Sequence, residues 1–153
     1  MEEKFAKAAL SVYNKLCNAL EEAELKFEKD VENLVVFFTM NGDDIPMKFT
    51  INVDAKRQLV IILSHLPFKF DEKSRLNGAM ATNHINNSLA DGSFDYDYET
   101  GAVVFRQTTS FRESLISSDL LMFMIAHAVT VVDEYNDKLL MVAKGVVSPD
   151  VFL

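Results

Sequence analysis

Three acidic residues alternate with aromatic ones in the stretch DGSFDYDYETGAVVFRQ, a spacing that is compatible with a bound calcium ion. A helix–loop–helix calcium site needs oxygen ligands at loop positions 1, 3 and 5, glycine at position 6 and glutamate at position 12. Counted from Asp95, the first ligands are Asp95, Asp97 and Glu99, but position 6 is Thr100 and position 12 is Arg106. Because arginine at the bidentate position would repel the cation, the spacing does not predict a calcium site.

A β-hairpin explains the same residues. The aromatic side chains that alternate with the acids are Phe94, Tyr96 and Tyr98. Such alternation gives a strand one buried face and one wet face. If Thr100–Gly101 is a two-residue turn, Asp95 pairs with Arg106, whereas a three-residue turn with a bulge at Gly101 would shift that register. We predict the hairpin and leave its register open.

The other reactive residues lack a catalytic or metal-binding pattern. The histidines His65, His84 and His127 are far apart in sequence, and no HExxH, paired CxxC, GxSxG or phosphate-binding glycine motif occurs. Cys17 lies within a predicted helix beside its apolar stripe, which is a poor position for a nucleophile. We therefore predict no catalytic residue, no metal site and no cofactor, and we do not expect an enzyme.

The amide side chains of the second predicted helix are more informative. The apolar stripe of that helix consists of Leu76, Ala79 and Met80. Helical spacing carries the stripe through Asn83 and on to Asn86 or Asn87. Since a buried amide must find hydrogen-bond partners, we predict that Asn83 and Asn86 pin this helix to the hairpin or to a loop. The alternative is a small-molecule-binding or enzymatic domain that uses Asn83, His84 and Asn86.

Length and charge narrow the class of protein. The chain of 153 residues suits a single domain over residues 1–145, followed by a short tail at 146–153. The net charge of −8 and the absence of a Lys or Arg cluster disfavour nucleic acid and anionic membranes as partners. No signal peptide or membrane span is evident, and a single cysteine cannot form an intramolecular disulfide, so we expect a cytoplasmic protein.

Periodicity and turn signals predict an α+β fold, in which an antiparallel sheet made of a three-strand meander and the β-hairpin is flanked by three helices. The predicted helices are Glu2–Glu22, Glu72–Ala90 and Ser118–Lys144. The predicted meander strands are Leu34–Met40, Met47–Val53 and Leu59–Leu63. Leu25–Phe27 fits a helical turn or a short strand, and we favour the strand. Pro67 is expected to interrupt the sheet because it has no N–H to donate.

A surplus of apolar residues gives an indication of function. The strands Leu34–Met40 and Leu59–Leu63 are apolar on both faces, so we expect both sides of the sheet to be at least partly covered. Surplus apolar surface usually contacts a second subunit or a bound polypeptide. From the parity of the strand residues we predict a partner-binding surface formed by Phe37, Lys48, Thr50, Val60 and Ile62.

A homodimer is a second prediction about partners. The third predicted helix is apolar around most of its circumference from Leu120 to Val132, and such a helix needs contact on more than one side. Two-fold pairing commonly hides a patch of this kind. The alternative is a compact monomer, in which the tail Val146–Leu153 folds back over the patch.

Longer motifs resemble a known family. The stretches concerned are MNGDDIPMKFTINVD, SHLPFKF, NHIN, DGSFDYDYETGAVVFRQ and DEYNDKLLMVAKG. From about Leu25 to Gly145 the chain resembles the YbjN-type family, which is described as bacterial sensory-transduction regulators, and the order of its elements is similar to the type III secretion chaperone-like fold. The resemblance implies a non-enzymatic, partner-binding or chaperone-like regulatory protein in bacterial signalling or stress response. It supplies no catalytic residue.

Overall fold

The computed structural model describes residues 2–153, which form a six-stranded sheet packed against three α-helices. The helices are α1 (Glu2–Glu22), α2 (Arg75–Ser88) and α3 (Ser118–Ala143), and a 3-10 helix follows at Pro149–Phe152. The strands are β1 (Glu28–Asp30), β2 (Val35–Met40), β3 (Met47–Asp54), β4 (Leu59–Lys69), β5 (Ser93–Tyr96) and β6 (Ala102–Ser110). The predicted α+β class, with a meander, a hairpin and three helices, is confirmed.

The sheet is antiparallel, with the strand order β1-β2-β3-β4-β6-β5. Its register brings the buried side chains onto one face, as in the row of Val36, Ile51, Ile62 and Gln107. Side chains of the other parity are partly or fully exposed, apart from Val35. The buried residues of all three helices share one core with the buried rows, so the helices cover one face and leave the other open. The expectation that both faces have cover is wrong for the single chain.

Helix α3 lies at the centre of the helical layer. It packs on β3, β4 and β6, and it also contacts both α1 and α2. Its N-terminus is capped by Ser117, whose Oγ accepts a hydrogen bond from the N–H of Leu120. The 3-10 helix packs on α2, where Pro149 is buried and the Phe152 ring lies 6.0 Å from the Tyr135 ring. Neighbours within one chain thus cover part of α3, whereas Phe123 on this helix is 64% exposed, and the homodimer stays a prediction.

Strand β4 continues through Pro67, so the prediction that the sheet is interrupted there is wrong. The ladder with β3 ends at the Thr50–Leu63 pair, and beyond it β4 pairs with β6 as far as Lys69. The register between β4 and β6 shifts between His65 and Lys69. Because a bulge needs no regular hydrogen bond from every residue, the missing N–H of Pro67 is tolerated.

The strand expected at Leu25–Phe27 is displaced to Glu28–Asp30. Helix α1 ends at Glu22, and a turn follows in which Glu24 has a positive φ of 55°. The next residues are irregular, although Leu25 and Phe27 pack against the core. The apolar alternation at Leu25 and Phe27 therefore reflects side chains of a connecting segment that pack on the core, and this segment does not form a β-strand.

The β5–β6 hairpin is confirmed, but its register differs from that of a two-residue turn. Asp95 pairs with Val104, and the turn extends over Asp97–Gly101. The carboxylate of Asp97 accepts hydrogen bonds from the N–H of Glu99 (2.9 Å) and the hydroxyl of Thr100 (2.7 Å). Local bonds of this kind stabilise turns, which is why the connection is longer than strand alternation suggests.

Helix α2 is shorter than predicted and buries a different stripe. Its buried residues are Gly78, Ala81, Thr82 and Ile85. The predicted stripe points outwards, since Leu76 is 61% exposed and Met80 is 39% exposed. A Cβ at Gly78 would lie 2.7 Å from the Phe70 ring, so the helix approaches the sheet on the side where its residues are smallest. Packing distance has overridden the preference of the larger side chains for burial.

The loop between β2 and β3 is attached to α3. The N–H of Asp43 donates to Asp133 Oδ1 over 3.0 Å, and Asn136 Nδ2 donates to the carbonyl of Ile45 over 3.4 Å. An added Cβ at Gly42 would lie 1.7 Å from Asp133 Oδ1, so a larger residue here would displace this carboxylate. These contacts fix one end of the β2–β3 ladder against the helical layer.

Candidate partner-binding site

The open face of the sheet is a mixed apolar and polar surface. One row across it consists of Phe37, Thr50 and Leu63, which are neighbours in the ladders of β2, β3 and β4. The adjacent row contains Asn52 and Ile61. Phe37 is 42% exposed, and the remaining four side chains are partly exposed. We define these five residues as the open-face patch, which no helix of the described chain covers.

A groove of about 630 Å³ lies at the β1 side of this patch. Side chains that line it include Lys26, Phe27, Glu28, Phe37, Lys48 and Thr50. Its floor is formed by β2 and β3, and Lys26 and Phe27 come from the irregular segment that leads into β1. The groove is continuous with the patch because Phe37 and Thr50 belong to both.

The groove brings together Phe37, Lys48 and Thr50, which are among the predicted partner-binding residues. The other two, Val60 and Ile62, lie on the opposite face, where they are 0% and 1% exposed in the core. The prediction that Val60 and Ile62 lie on the more exposed face of their strand is therefore wrong. Partner binding by Phe37, Lys48 and Thr50 stays a proposal.

The length of the turn between β3 and β4 explains why Val60 and Ile62 were predicted on the wrong face of the sheet. A turn over Asp54–Lys56 would set Val60 beside Thr50, whereas the observed turn ends at Gln58, which has a positive φ of 57°. The result is a ladder in which Thr50 faces Leu63. Because a register shift by an odd number of residues moves every side chain to the other face, Leu63 and Ile61 take the exposed positions.

The structure does not combine Asn83, His84 and Asn86 into one site. Asn86 Nδ2 donates to the carbonyl of Phe94 (3.0 Å), and the N–H of Phe94 donates to Asn86 Oδ1 (2.8 Å), so this amide pins α2 to β5 as expected. Asn83 is exposed, which contradicts its expected burial. His84 Nε2 is buried without a hydrogen-bond partner, and His84 does not line the shallow groove that Asn83 and Asn86 border.

The acids of the hairpin are used in local bonds. Arg106 Nε donates to Asp95 Oδ2 over 2.6 Å, and these two residues lie diagonally across the ladder. The hydroxyl of Thr100 and the N–H of Glu99 hold the pKa of Asp97 below its usual value. Within residues 2–153, no group of three or more His, Cys, Asp or Glu side chains is placed to hold a metal ion.

Cys17 is a core residue beside Tyr13. The cysteine is 6% exposed and the tyrosine 1%, and the Tyr13 hydroxyl donates to the carbonyl of Val35 over 3.3 Å. Burial raises the pKa of the Cys17 thiol, and burial together with the neighbouring thiol raises the pKa of Tyr13 to about 12. A neutral, enclosed thiol is unsuited to attack on a substrate.

Four residues of the candidate site were not predicted from the sequence, namely Lys26, Phe27, Ile61 and Leu63. The signal for Ile61 and Leu63 lies in the β3–β4 turn, because its length fixes which parity faces the polar row of β3. Lys26 and Phe27 are in an irregular segment, where periodicity carries no information about the direction of a side chain.

No helix within residues 2–153 is both long enough and apolar enough to cross a bilayer.

Solved structures share this fold at low sequence identity. YbjN from E. coli, described as a putative transcription regulator, has a TM-score of 0.60 at 14% identity, over 82% of this chain and 91% of that chain. A chain of the HopA1–SchA chaperone–effector complex has a TM-score of 0.57 at 19% identity, over 86% and 97%. A chain of the ExsC–ExsE complex has a TM-score of 0.60 at 14% identity, over 84% and 93%. The fold is type III secretion chaperone-like.

The family of the chain follows from its sequence as well as its fold. The chain matches no curated protein sequence. The family model YbjN, described as "Putative bacterial sensory transduction regulator", matches residues 13–141 and thus extends from within α1 almost to the end of α3. Because this match spans most of the chain, the protein belongs to the YbjN family.

Proposed function

We propose that this protein binds a segment of another polypeptide through the open face of its sheet and acts without catalysis. The observation that carries the proposal is the open-face patch, in which Phe37, Ile61 and Leu63 are presented on regular strands away from the helical layer. Apolar side chains grouped on a rigid surface and interspersed with polar ones such as Thr50 and Asn52 are typical of protein-binding surfaces.

The relatives give independent support for a polypeptide partner. One structure with this fold is a chaperone–effector complex, and another is a complex of two different proteins. The family description adds a regulatory role, and we propose that this protein acts as a regulator in bacterial signalling or stress response in the cytoplasm. Because fold does not fix function, the patch has to be tested directly.

The test is affinity capture from a bacterial lysate with wild-type protein and the variants Phe37→Asp and Leu63→Asp. Each variant places a charge in the patch, so each is expected to lose at least ten-fold of a captured partner, since desolvating an unpaired carboxylate is costly. The matched control is Leu76→Asp, at an exposed apolar residue of α2 on the other side of the molecule.

Circular dichroism must show that all three variants remain folded. Equal loss of the partner in all three variants, or retention in both patch variants, contradicts the open face as the binding surface. A thermal-shift screen of metabolites and metal ions supplies the opposing result: a ligand that stabilises the protein and is insensitive to the patch variants would favour a small-molecule site.

A further inference from the structure

The groove beside the open-face patch has a charge opposite to that of the whole protein. The chain carries a net charge of −8, yet the groove is lined by two lysines, Lys26 and Lys48, and by one acid, Glu28. Both lysines are exposed. Among the salt bridges of residues 2–153, none involves Lys26 or Lys48, so neither ammonium group is held in an ion pair.

Aromatic side chains accompany these lysines. Phe37 contributes an exposed ring on β2, and Phe27 contributes a half-buried ring from the segment before β1. The ammonium group of Lys29 lies 5.9 Å from the centre of the Phe27 ring, but it also pairs with Glu21 Oε1 over 3.4 Å, so it adds no unpaired charge to the groove. The groove therefore offers cationic and apolar contacts side by side, on a floor of two hydrogen-bonded strands.

We propose that this groove receives an acidic, apolar segment of the partner polypeptide, with carboxylates at Lys26 and Lys48 and apolar side chains on Phe37 and along the patch. The inference rests on the proposed function and specifies the chemistry of the partner. An extended chain is suited to the site because Phe37, Thr50 and Leu63 form a straight row that leads away from the groove. Complementary charge would raise the rate of association and select against basic segments.

A second groove supplies a matched control. It has a volume of about 560 Å³ and is lined by Lys4, Phe5, Phe111 and Arg112, together with residues of the loop before α3. It likewise combines cations with aromatic rings, but an irregular loop forms part of its wall and it does not border the open-face patch. A site on strands is held more precisely than one on a loop, which favours the groove at Lys26 and Lys48.

The experiment measures fluorescence anisotropy with two short labelled peptides, one alternating glutamate with leucine and phenylalanine and one with lysine in place of glutamate. Wild-type protein is expected to bind the glutamate peptide at least ten-fold more tightly than the lysine peptide. The variant Lys26→Glu/Lys48→Glu should lose at least ten-fold in affinity for the glutamate peptide. The variant Lys4→Glu/Arg112→Glu makes the same change in net charge and should change that affinity less than two-fold.

Raising the salt concentration from about 0.05 M to 0.5 M should weaken binding of the glutamate peptide to wild type more than to the lysine-groove variant, because added salt screens the exposed charges. Equal binding of both peptides, or an equal loss in both double variants, overturns the proposal. So does binding of a labelled single-stranded oligonucleotide that depends on Lys26 and Lys48, which would assign the groove to nucleic acid. Failure of these peptides with continued loss of partner capture in Phe37→Asp refutes the acidic segment and leaves the proposed function intact.

Discussion

The side chain of Asn86 pairs with the backbone of Phe94 in the manner of a neighbouring strand. Its amide donates to the carbonyl of Phe94 and accepts from the N–H of the same residue. Strand β5 is an edge of the sheet, where unpaired backbone groups would otherwise recruit another chain. A helix therefore closes this edge with one side chain.

Replacement of Asn86 by alanine should destabilise the protein by about 1–3 kcal/mol, because the donor and the acceptor of Phe94 both lose their partner. The matched control is Asn83→Ala on the same helix, which gains the same helix propensity and should stay within about 0.5 kcal/mol of wild type. Urea unfolding followed by circular dichroism measures both. Equal stability of the two variants would show that the pairing contributes nothing.

Gly101→Ala should be far more disruptive than Gly145→Ala. Both glycines have a positive φ, +73° and +71°, so each alanine carries a backbone penalty of about 1–2 kcal/mol. At Gly101, however, the added Cβ would lie 1.9 Å from the carbonyl oxygen of Phe70, whereas nothing lies within 4 Å at Gly145. The thermal midpoints of the two variants isolate this steric effect. A Gly101→Ala midpoint as high as that of Gly145→Ala is the result that contradicts it.

Aspartate should destabilise the fold much more at Ile62 than at Phe37. Phe37 is on the open face, so Phe37→Asp should change the free energy of unfolding by less than about 1 kcal/mol. Ile62 is 1% exposed, and an unpaired carboxylate there should remove most of the roughly 5–15 kcal/mol that holds a domain folded. Circular dichroism of both variants at pH 7 checks this. A folded Ile62→Asp would mean that the assignment of the two faces is inverted.

Cys17 should react with thiol reagents only when the protein opens. Burial raises the pKa of its thiol, so the neutral form is favoured at pH 7, and the thiolate that reacts is scarce as well as enclosed. Labelling by an aromatic disulfide reagent should be at least a hundred-fold slower in native buffer than in urea. Fast labelling of the native protein, with unchanged circular dichroism, would be incompatible with this packing.

The homodimer prediction can be tested at the open face, because α1 and α2 cover part of α3 whereas no helix of the described chain covers this face. If two copies pair through this face, sedimentation at micromolar concentration should give the mass of two chains. Phe37→Asp should then restore the mass of a single chain. A wild-type mass of one chain refutes the dimer, and a dimer that survives Phe37→Asp refutes this interface.

The sequence predicts the elements of this fold better than the directions in which their side chains point. Alternation in β3 correctly separates Phe49 and Ile51, which are buried, from Lys48 and Thr50. Strand β4 has apolar residues on both parities, so its composition cannot tell which row faces the helices. The register of its turn decides, and that register depends on a positive φ at Gln58 that no alternation pattern reveals.

Helix α2 shows a second limit of sequence patterns. Leu76 and Met80 are more apolar than Gly78 and Ala81, yet it is the small residues that face the core. Close approach to Phe70 requires a residue without a side chain, and this geometric demand exceeds the gain from burying two larger residues elsewhere. The need for a small residue at Gly78 can be recognised only when the surface that α2 packs against is known.

Because the β2–β3 loop is attached to α3, the hydrogen-exchange rate of one exposed amide in this loop reports on a tertiary contact. The N–H of Asp43 bonds to the carboxylate of Asp133, a residue 90 positions away along the chain. An amide in an exposed loop ordinarily exchanges rapidly with solvent, so protection at Asp43 measures how tightly the loop is docked on the helix. Its exchange rate therefore reports the closure of a contact between distant parts of the chain, independently of the strands on either side of the loop.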